Sequence, residues 1–295
     1  MAGYSANPAP KAGPTGAKRI REPEKLTAGT AIDWNAVWKE QSARRSVKKR
    51  DVNFWNQKAL TFFKKPWESN YPEDFVRIME PRRCWTVLDM ACGTGALAIP
   101  LSKYVRRITA ADFAPRMLEA LAQQCKIQGI ENVTTINASW EDDWAAKGIG
   151  RYDVVIASRS LVVDDLRQAI VKLNSAARER VYISTIVGDG PHDRKIHEAV
   201  GRRLSPGPDY IYTYNLLHQL GIYANIAFIK DSRQECFPDH DAALGYYDNF
   251  LGKLTKAEKK ELRRYLGEHL VLKNGKWIFD YRRTTRWAVM WWEKE

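Results

Sequence analysis

The eleven residues from Val87 to Leu97, Val-Leu-Asp-Met-Ala-Cys-Gly-Thr-Gly-Ala-Leu, constrain this chain more than any other stretch. An apolar run ends in an acid, Asp89. Four residues later a Gly-Thr-Gly turn begins, and an apolar helical pattern (Leu97, Ile99, Leu101) follows it. The order reads as a buried strand, a tight turn and a helix. Gly93 and Gly95 can take positive φ and carry no Cβ, so a ligand can lie against the backbone. The helix behind the turn offers free N–H groups to an anionic or carboxylate group. Asp89 adds a negative charge beside the turn, which disfavours a pyrophosphate and suits a ligand carrying positive charge.

Taken alone, the turn fits two folds. Gly93, Gly95 and Ala98 satisfy G-x-G-x-x-G/A, and Asp112 lies at about the 20-residue spacing of a dinucleotide site. The acid, three residues and Gly-x-Gly also resemble the nucleotide loop of the class I S-adenosylmethionine-dependent methyltransferases, which wraps the amino-acid part of the cofactor. The segments that follow favour this second resemblance. Arg107–Asp112 is a second apolar strand ending in an acid. Its continuation, Phe113-Ala114-Pro115-Arg116-Met117-Leu118, matches the helix entry of that family. Val133–Asn137 reads as a third strand, and Tyr152–Ala157 and Arg180–Ile186 read as buried parallel strands. Helical patterns at Arg116–Gln128 and Leu166–Ala177 alternate with them. A late strand, Ala224–Ile229, and a last one, Arg286–Trp292, correspond to the pair that closes the sheet in this family.

The resemblance covers roughly residues 50 to 295. It implies an α/β fold: a doubly wound, seven-stranded, mostly parallel sheet with an antiparallel last strand, N-terminal helices and helical insertions near the C-terminus. It implies S-adenosyl-L-methionine as cofactor and S-adenosyl-L-homocysteine as product. Carried over by position, the cofactor residues are Asp89, Ala91, Cys92, Gly93 and Gly95 in the first loop, and Asp112 and Phe113 after the second strand. Ser139, Trp140 and Glu141 follow the third strand, and Ala157 and Ser158 end the fourth. Asp112 binds the ribose in this reading, since a carboxylate accepts two hydrogen bonds from a diol. Many members carry an acid where this chain has Ser139, so the adenine contact passes to Glu141, Asp142 or the backbone, with Trp140 as a stacking surface.

Charge is unevenly placed. Of the net +12, residues 1–65 carry +9. Residues 1–30, rich in Ala, Pro, Gly and Lys, lack apolar periodicity and are expected to be a disordered basic tail. Residues 31–80 are expected to form a helical cap, with Trp34 and Trp38 on one face and a second helix over Phe54–Phe63. Residues 81–295 are expected to form the methyltransferase domain, with substrate-side insertions at about 190–222 and 239–285. The second of these reads as two helices between Asp239 and His269, one of them opened by Thr255 and Glu258 as a capping box. The run Arg44–Arg50 offers a grip for nucleic acid or reads as a solvated helix face or linker, the reading its near-neutral catalytic core favours. The four cysteines (Cys84, Cys92, Cys125, Cys236) form no C-x-x-C pair, which fits a reducing cytoplasm. No membrane span and no leader are expected.

The resembled chemistry needs alignment of an acceptor with the S–CH₃ bond and exclusion of water, and a neutral acceptor adds a base. Candidates are His218, Tyr210 and Tyr214 in a tyrosine-rich stretch, with His192 and His197 behind them. A spacing of five positions between the last two does not suit a helical metal pair, and no metal site is expected. After the fourth strand the chain reads Ala157-Ser158-Arg159-Ser160, without the Asn/Asp-Pro-Pro-aromatic turn of enzymes that methylate base amines. A C5-type cysteine–proline context and the double-glutamate loop of arginine methyltransferases are missing too. The leading expectation is methyl transfer to a small or medium-sized molecule. The alternatives are an RNA or ribonucleoprotein methyltransferase tethered by the basic N-terminal arm, and a non-catalytic protein that binds the cofactor.

Overall fold

A computed structural model of the chain describes residues 32–45, 50–59 and 69–294. The chain divides into two units, residues 1–32 and 33–295, and only the second is described below. The expected basic tail, the middle of the basic run and the end of the Phe54–Phe63 helix lie outside the described residues.

The chain opens with α1 (Trp34–Ala43), α2 (Val52–Ala59) and α3 (Tyr71–Met79). The alternating part runs β1 (Thr86–Met90), α4 (Ala98–Leu101), β2 (Arg107–Asp112), α5 (Pro115–Gln128), β3 (Val133–Asn137), β4 (Tyr152–Ser158), α6 (Leu166–Ala176) and β5 (Ala177–Ile186). Then come α7 (Arg194–Ala199), α8 (Tyr210–Gln219), β6 (Asn225–Arg233), β7 (Cys236–Phe237), α9 (His240–Leu251), α10 (Lys256–His269), β8 (Leu270–Lys273), β9 (Lys276–Phe279) and β10 (Arg283–Glu293).

Seven strands form one sheet in the order β3-β2-β1-β4-β5-β10-β6. β10 is antiparallel to both its neighbours and the other pairings are parallel. The order reverses between β1 and β4, which opens a crevice at the carboxyl ends of these strands. β1 and β4 are buried on both faces, which explains why their sequences read as continuous apolar runs rather than alternating ones.

Each sheet face has its own core. On one side Leu88, Met90, Val155, Ile183 and Met290 pack under α1, α6 and α8. Trp38 of α1 is fully buried there and its indole N–H donates to the Val163 carbonyl at 3.0 Å. On the other side Val87, Ile108, Val154 and Val289 meet α3, α4 and α5. Tyr71, Phe75 and Met79 recur at intervals of four, so α3 buries a single stripe against the sheet. Two arginines at the ends of the basic run use their heads on aromatic rings. The Arg45 guanidinium lies 5.7 Å from the Trp38 ring and that of Arg50 4.7 Å from Phe54.

A third core, with Ile196, Phe237, Tyr247, Leu262 and Phe279, ties α7, α9 and α10 to a small sheet of order β7-β9-β8. This sheet goes beyond the two-helix reading of the region. Its hairpin turns on Asn274 and Gly275, both at positive φ, as a two-residue type I′ connection requires. α10 starts as its sequence implies. Thr255 Oγ1 accepts the Glu258 N–H at 3.2 Å and Glu258 returns a carboxylate to the Thr255 N–H at 2.8 Å. Arg202, in the loop after α7, clamps the same carboxylate. Thr255→Ala is expected to lower stability by about 1 kcal/mol in chemical denaturation, with the m-value unchanged.

Candidate active site

The loop after β1 turns on three residues in left-handed conformations: Ala91 (φ 57°), Gly93 (φ 57°) and Gly95 (φ 84°). Ala91 bears a Cβ there at a cost of about 1–3 kcal/mol, which the ties of the loop to β2 sustain. The Cys92 N–H donates to the Ala111 carbonyl at 3.0 Å and the Gly93 N–H to Asp112 Oδ2 at 2.9 Å. The two glycines serve different ends. A Cβ on Gly95 would come 2.3 Å from Leu121 Cδ1, so this glycine lets the loop close onto α5. A Cβ on Gly93 would meet nothing within 4 Å, so the space before it is open to a ligand.

Two buried carboxylates flank the loop. Asp112, at the end of β2, also accepts the Ala114 N–H at 2.9 Å through Oδ1. Burial raises its pKa, against the pull of the backbone N–H groups. Asp89 is 2% exposed. Burial first, then repulsion from Asp112, pushes its carboxyl up to about 7, with the positive charge of Arg159 pulling the other way. An acid in this condition gains from any ligand that brings positive charge. Cys92 beside it has its thiol pushed well above the ordinary value by burial and by both carboxylates, so it is a small apolar filler rather than a nucleophile.

Beyond β4 the backbone turns sharply at Arg159 (φ 56°). The Arg159 N–H donates to the carbonyl and hydroxyl oxygens of Ser184, both at 3.0 Å. The Tyr71 hydroxyl joins Ser158 Oγ at 2.7 Å and Ser184 Oγ at 2.5 Å. The Arg159 guanidinium lies 4.0 Å from the centroid of the Tyr71 ring and 5.5 Å from that of Trp287. Arg159, Tyr71 and Trp287 did not emerge from the sequence as site residues. They come from the turn after β4, from α3 and from β10, and no spacing links them.

The structure brings Asp89, Ala91, Cys92, Gly93, Gly95, Asp112 and Phe113 into one loop cluster at the carboxyl edge of the sheet, with Ala157 and Ser158 beside it on β4. After β3, Ser139 and Asp142 close a turn on each other: the Ser139 N–H donates to Asp142 Oδ2 at 2.8 Å, and Ser139 Oγ accepts the Glu141 and Asp142 N–H groups. Trp140 is half-buried against the first core, its ring 5.8 Å from Trp144. Glu141 is exposed.

α8 carries the three residues expected as candidate bases, Tyr210, Tyr214 and His218. It buries Thr213, Leu216 and Leu217 toward the sheet, so Tyr214 and His218, one and five positions from Thr213, stand on the solvent side. The His218 ring packs 5.7 Å from Tyr223, two residues before β6 begins. Tyr210, at the start of α8, is half-buried edge-on to Phe228 of β6. His192 and His197 pack on each other in the third core region, and burial holds His192 near 4. Among the described residues no group of three His, Cys, Asp or Glu side chains is placed to hold a metal, and no helix is long and apolar enough to cross a membrane.

Comparison with known proteins agrees with this geometry. A family model described as a methyltransferase domain matches residues 87–180, the stretch from the acid loop to β5. An uncharacterized protein of Haemophilus influenzae is 33% identical over 244 residues, covering 81% of this chain and 88% of its own length. The ubiquinone/menaquinone biosynthesis C-methyltransferase UbiE of Zymomonas mobilis is 42% identical over 64 residues, 22% of this chain and 26% of that protein. Among solved structures, the YcgJ protein of Bacillus subtilis superposes with a TM-score of 0.53 at 14% identity. That match covers 76% of this chain and 97% of that one.

Proposed function

Since this chain belongs to the class I S-adenosylmethionine-dependent methyltransferases, we propose that it transfers the methyl group to a small or medium-sized molecule by in-line displacement. The observation that carries the reading is the pair of buried acids around an open glycine. Asp112 accepts the Gly93 N–H, Asp89 is buried within electrostatic reach of Asp112, and no atom would meet a Cβ on Gly93.

The residues present fit the cofactor. Asp112 is the acceptor for the ribose hydroxyls, and Asp89 answers the positive charge of the amino-acid part. The Ser139–Asp142 turn and Trp140 border the adenine end. When bound, S-adenosylmethionine supplies a sulfonium-activated methyl group. The protein's own part is to orient and to exclude water. The left-handed turns at Ala91 and Arg159 fix the two loops that meet at the crevice. The Tyr71–Ser158–Ser184 hydrogen bonds hold the end of β4, and the aromatic faces of Tyr71 and Trp287 keep the Arg159 guanidinium in place. No residue of α8 beyond Tyr210 is needed in this scheme.

The reading is tested with radiolabelled S-adenosylmethionine on a small-molecule extract and, separately, on an RNA fraction. Label is expected in the small-molecule fraction. His218→Ala is expected to retain that activity within about twofold, as for an exposed residue outside the site. Label confined to RNA, or a hundredfold loss in His218→Ala, would overturn the scheme.

A further inference from the structure

On the face of β10 shared with Trp287 lie three side chains that the methyl-donor site does not employ to the full. Arg283, Thr285 and Trp287 alternate along the strand, so they point to one face at steps of about 7 Å. Each holds buried polar atoms without a hydrogen-bond partner among the described residues: Nε and Nη1 of Arg283, Oγ1 of Thr285 and Nε1 of Trp287. A buried donor left bare costs the full desolvation of the group, and here the cost recurs at three successive positions of one strand.

The row has a near end and a far end. Trp287 lies under the Arg159 guanidinium and edge-on to Tyr71, 6.0 Å away, beside the transfer site. Arg283 gives its remaining nitrogen, Nη2, to Glu235 at 2.6 Å, and Glu235 also accepts the Tyr247 hydroxyl. Arg283 and Trp287 can only donate, so their complement is a ligand with several acceptor oxygens. Glu235 already matches the charge of Arg283. The row therefore asks for acceptors spread along a strand, not for the concentrated charge that a phosphate and an arginine cluster supply to each other.

We propose that β10 is the acceptor-binding strand, and that the methyl acceptor is an extended, carboxylate-bearing small molecule whose oxygens take up the free donors of Trp287, Thr285 and Arg283. The inference rests on the methyl-transfer reading, which sets the cofactor against Asp89, within electrostatic reach of Arg159.

The test uses the full chain loaded with S-adenosylhomocysteine and labelled with ¹⁵N in its tryptophans, Trp287→Phe assigning the Trp287 indole resonance. Adipate serves as the linear dicarboxylate probe and inorganic phosphate as the contrasting anion. Adipate is expected to shift the Trp287 indole signal, with binding weakened roughly fivefold in Thr285→Val and in Arg283→Lys and S-adenosylhomocysteine affinity unchanged. No shift with adipate, equal affinity in wild type and both variants, or a response to phosphate alone would overturn the inference. Failure of S-adenosylhomocysteine to bind wild type would instead strike the methyl-transfer reading beneath it.

Discussion

Asp89→Asn is expected to weaken binding of S-adenosylmethionine sharply while making the free protein more stable at neutral pH. Both effects come from one buried charge. The carboxyl of Asp89 has an ordinary value of 3.8 and stands at about 7 in the fold. Between these two values the folded state holds a proton that the unfolded chain has released. Stability therefore falls as pH rises through this window, and above pH 7 the ionised group costs the free protein ~3–4 kcal/mol. The amide is isosteric and uncharged, so the variant escapes that cost. Denaturation should show a gain of this order at pH 8 and almost none at pH 4. The same charge meets the positive ligand. Wild-type affinity should be flat above pH 7 and fall about tenfold per pH unit below it, as the binding form is titrated away. The variant should bind weakly at every pH. Calorimetric titration over pH 5–9 checks this, and a variant that binds like wild type would remove Asp89 from the site.

Gly93→Ala and Gly95→Ala should fail in different ways. At Gly93 the new methyl group has open space, and only the left-handed backbone (φ 57°) is strained. The expected destabilisation is about 1–2 kcal/mol, with a cooperative, folded protein that has lost cofactor affinity because the methyl occupies the ligand's approach. At Gly95 the methyl sits 2.3 Å from Leu121 Cδ1 and 3.3 Å from Ile99 Cγ1. The Leu121 and Ile99 side chains must shift in a packed core, which adds an overpacking cost of about 1–3 kcal/mol to the backbone strain. Gly95→Ala should therefore lower Tm well below that of Gly93→Ala. Equal melting points, or undisturbed cofactor binding in Gly93→Ala, would count against the division of roles.

Much of this was legible along the chain because the signals are local. β2 and β3 lie where their apolar runs and flanking polar residues put them, and the acid loop follows from Asp89, Gly93 and Gly95 alone. The Thr255–Glu258 box marked the start of α10 three residues apart. The small sheet of β7, β8 and β9 carried a readable cue in Asn274-Gly275, but its strands are four residues or fewer and show no clean alternation. The sequence offered Tyr214 and His218 as candidate bases but not the side of α8 on which they stand. A tyrosine- and histidine-rich helix looks like a pocket wall in composition, whereas the burial of Thr213, Leu216 and Leu217 decides which side faces solvent.

By itself, the sequence determined the elements whose cause lies within a dozen residues: strands, caps, the glycine turn and the pairing of an acid with that turn. These in turn determined the fold class and the kind of cofactor. Tertiary structure alone decided what gathers at the mouth of the crevice. Tyr71, Arg159, Ser184 and Trp287 lie far apart in the chain and meet because β10 inserts antiparallel between β5 and β6 and α3 packs across the same sheet face. The pKa of Asp89 belongs to the same class. It depends on burial and on Asp112 one strand away, and neither is a property of the residues next to it in sequence.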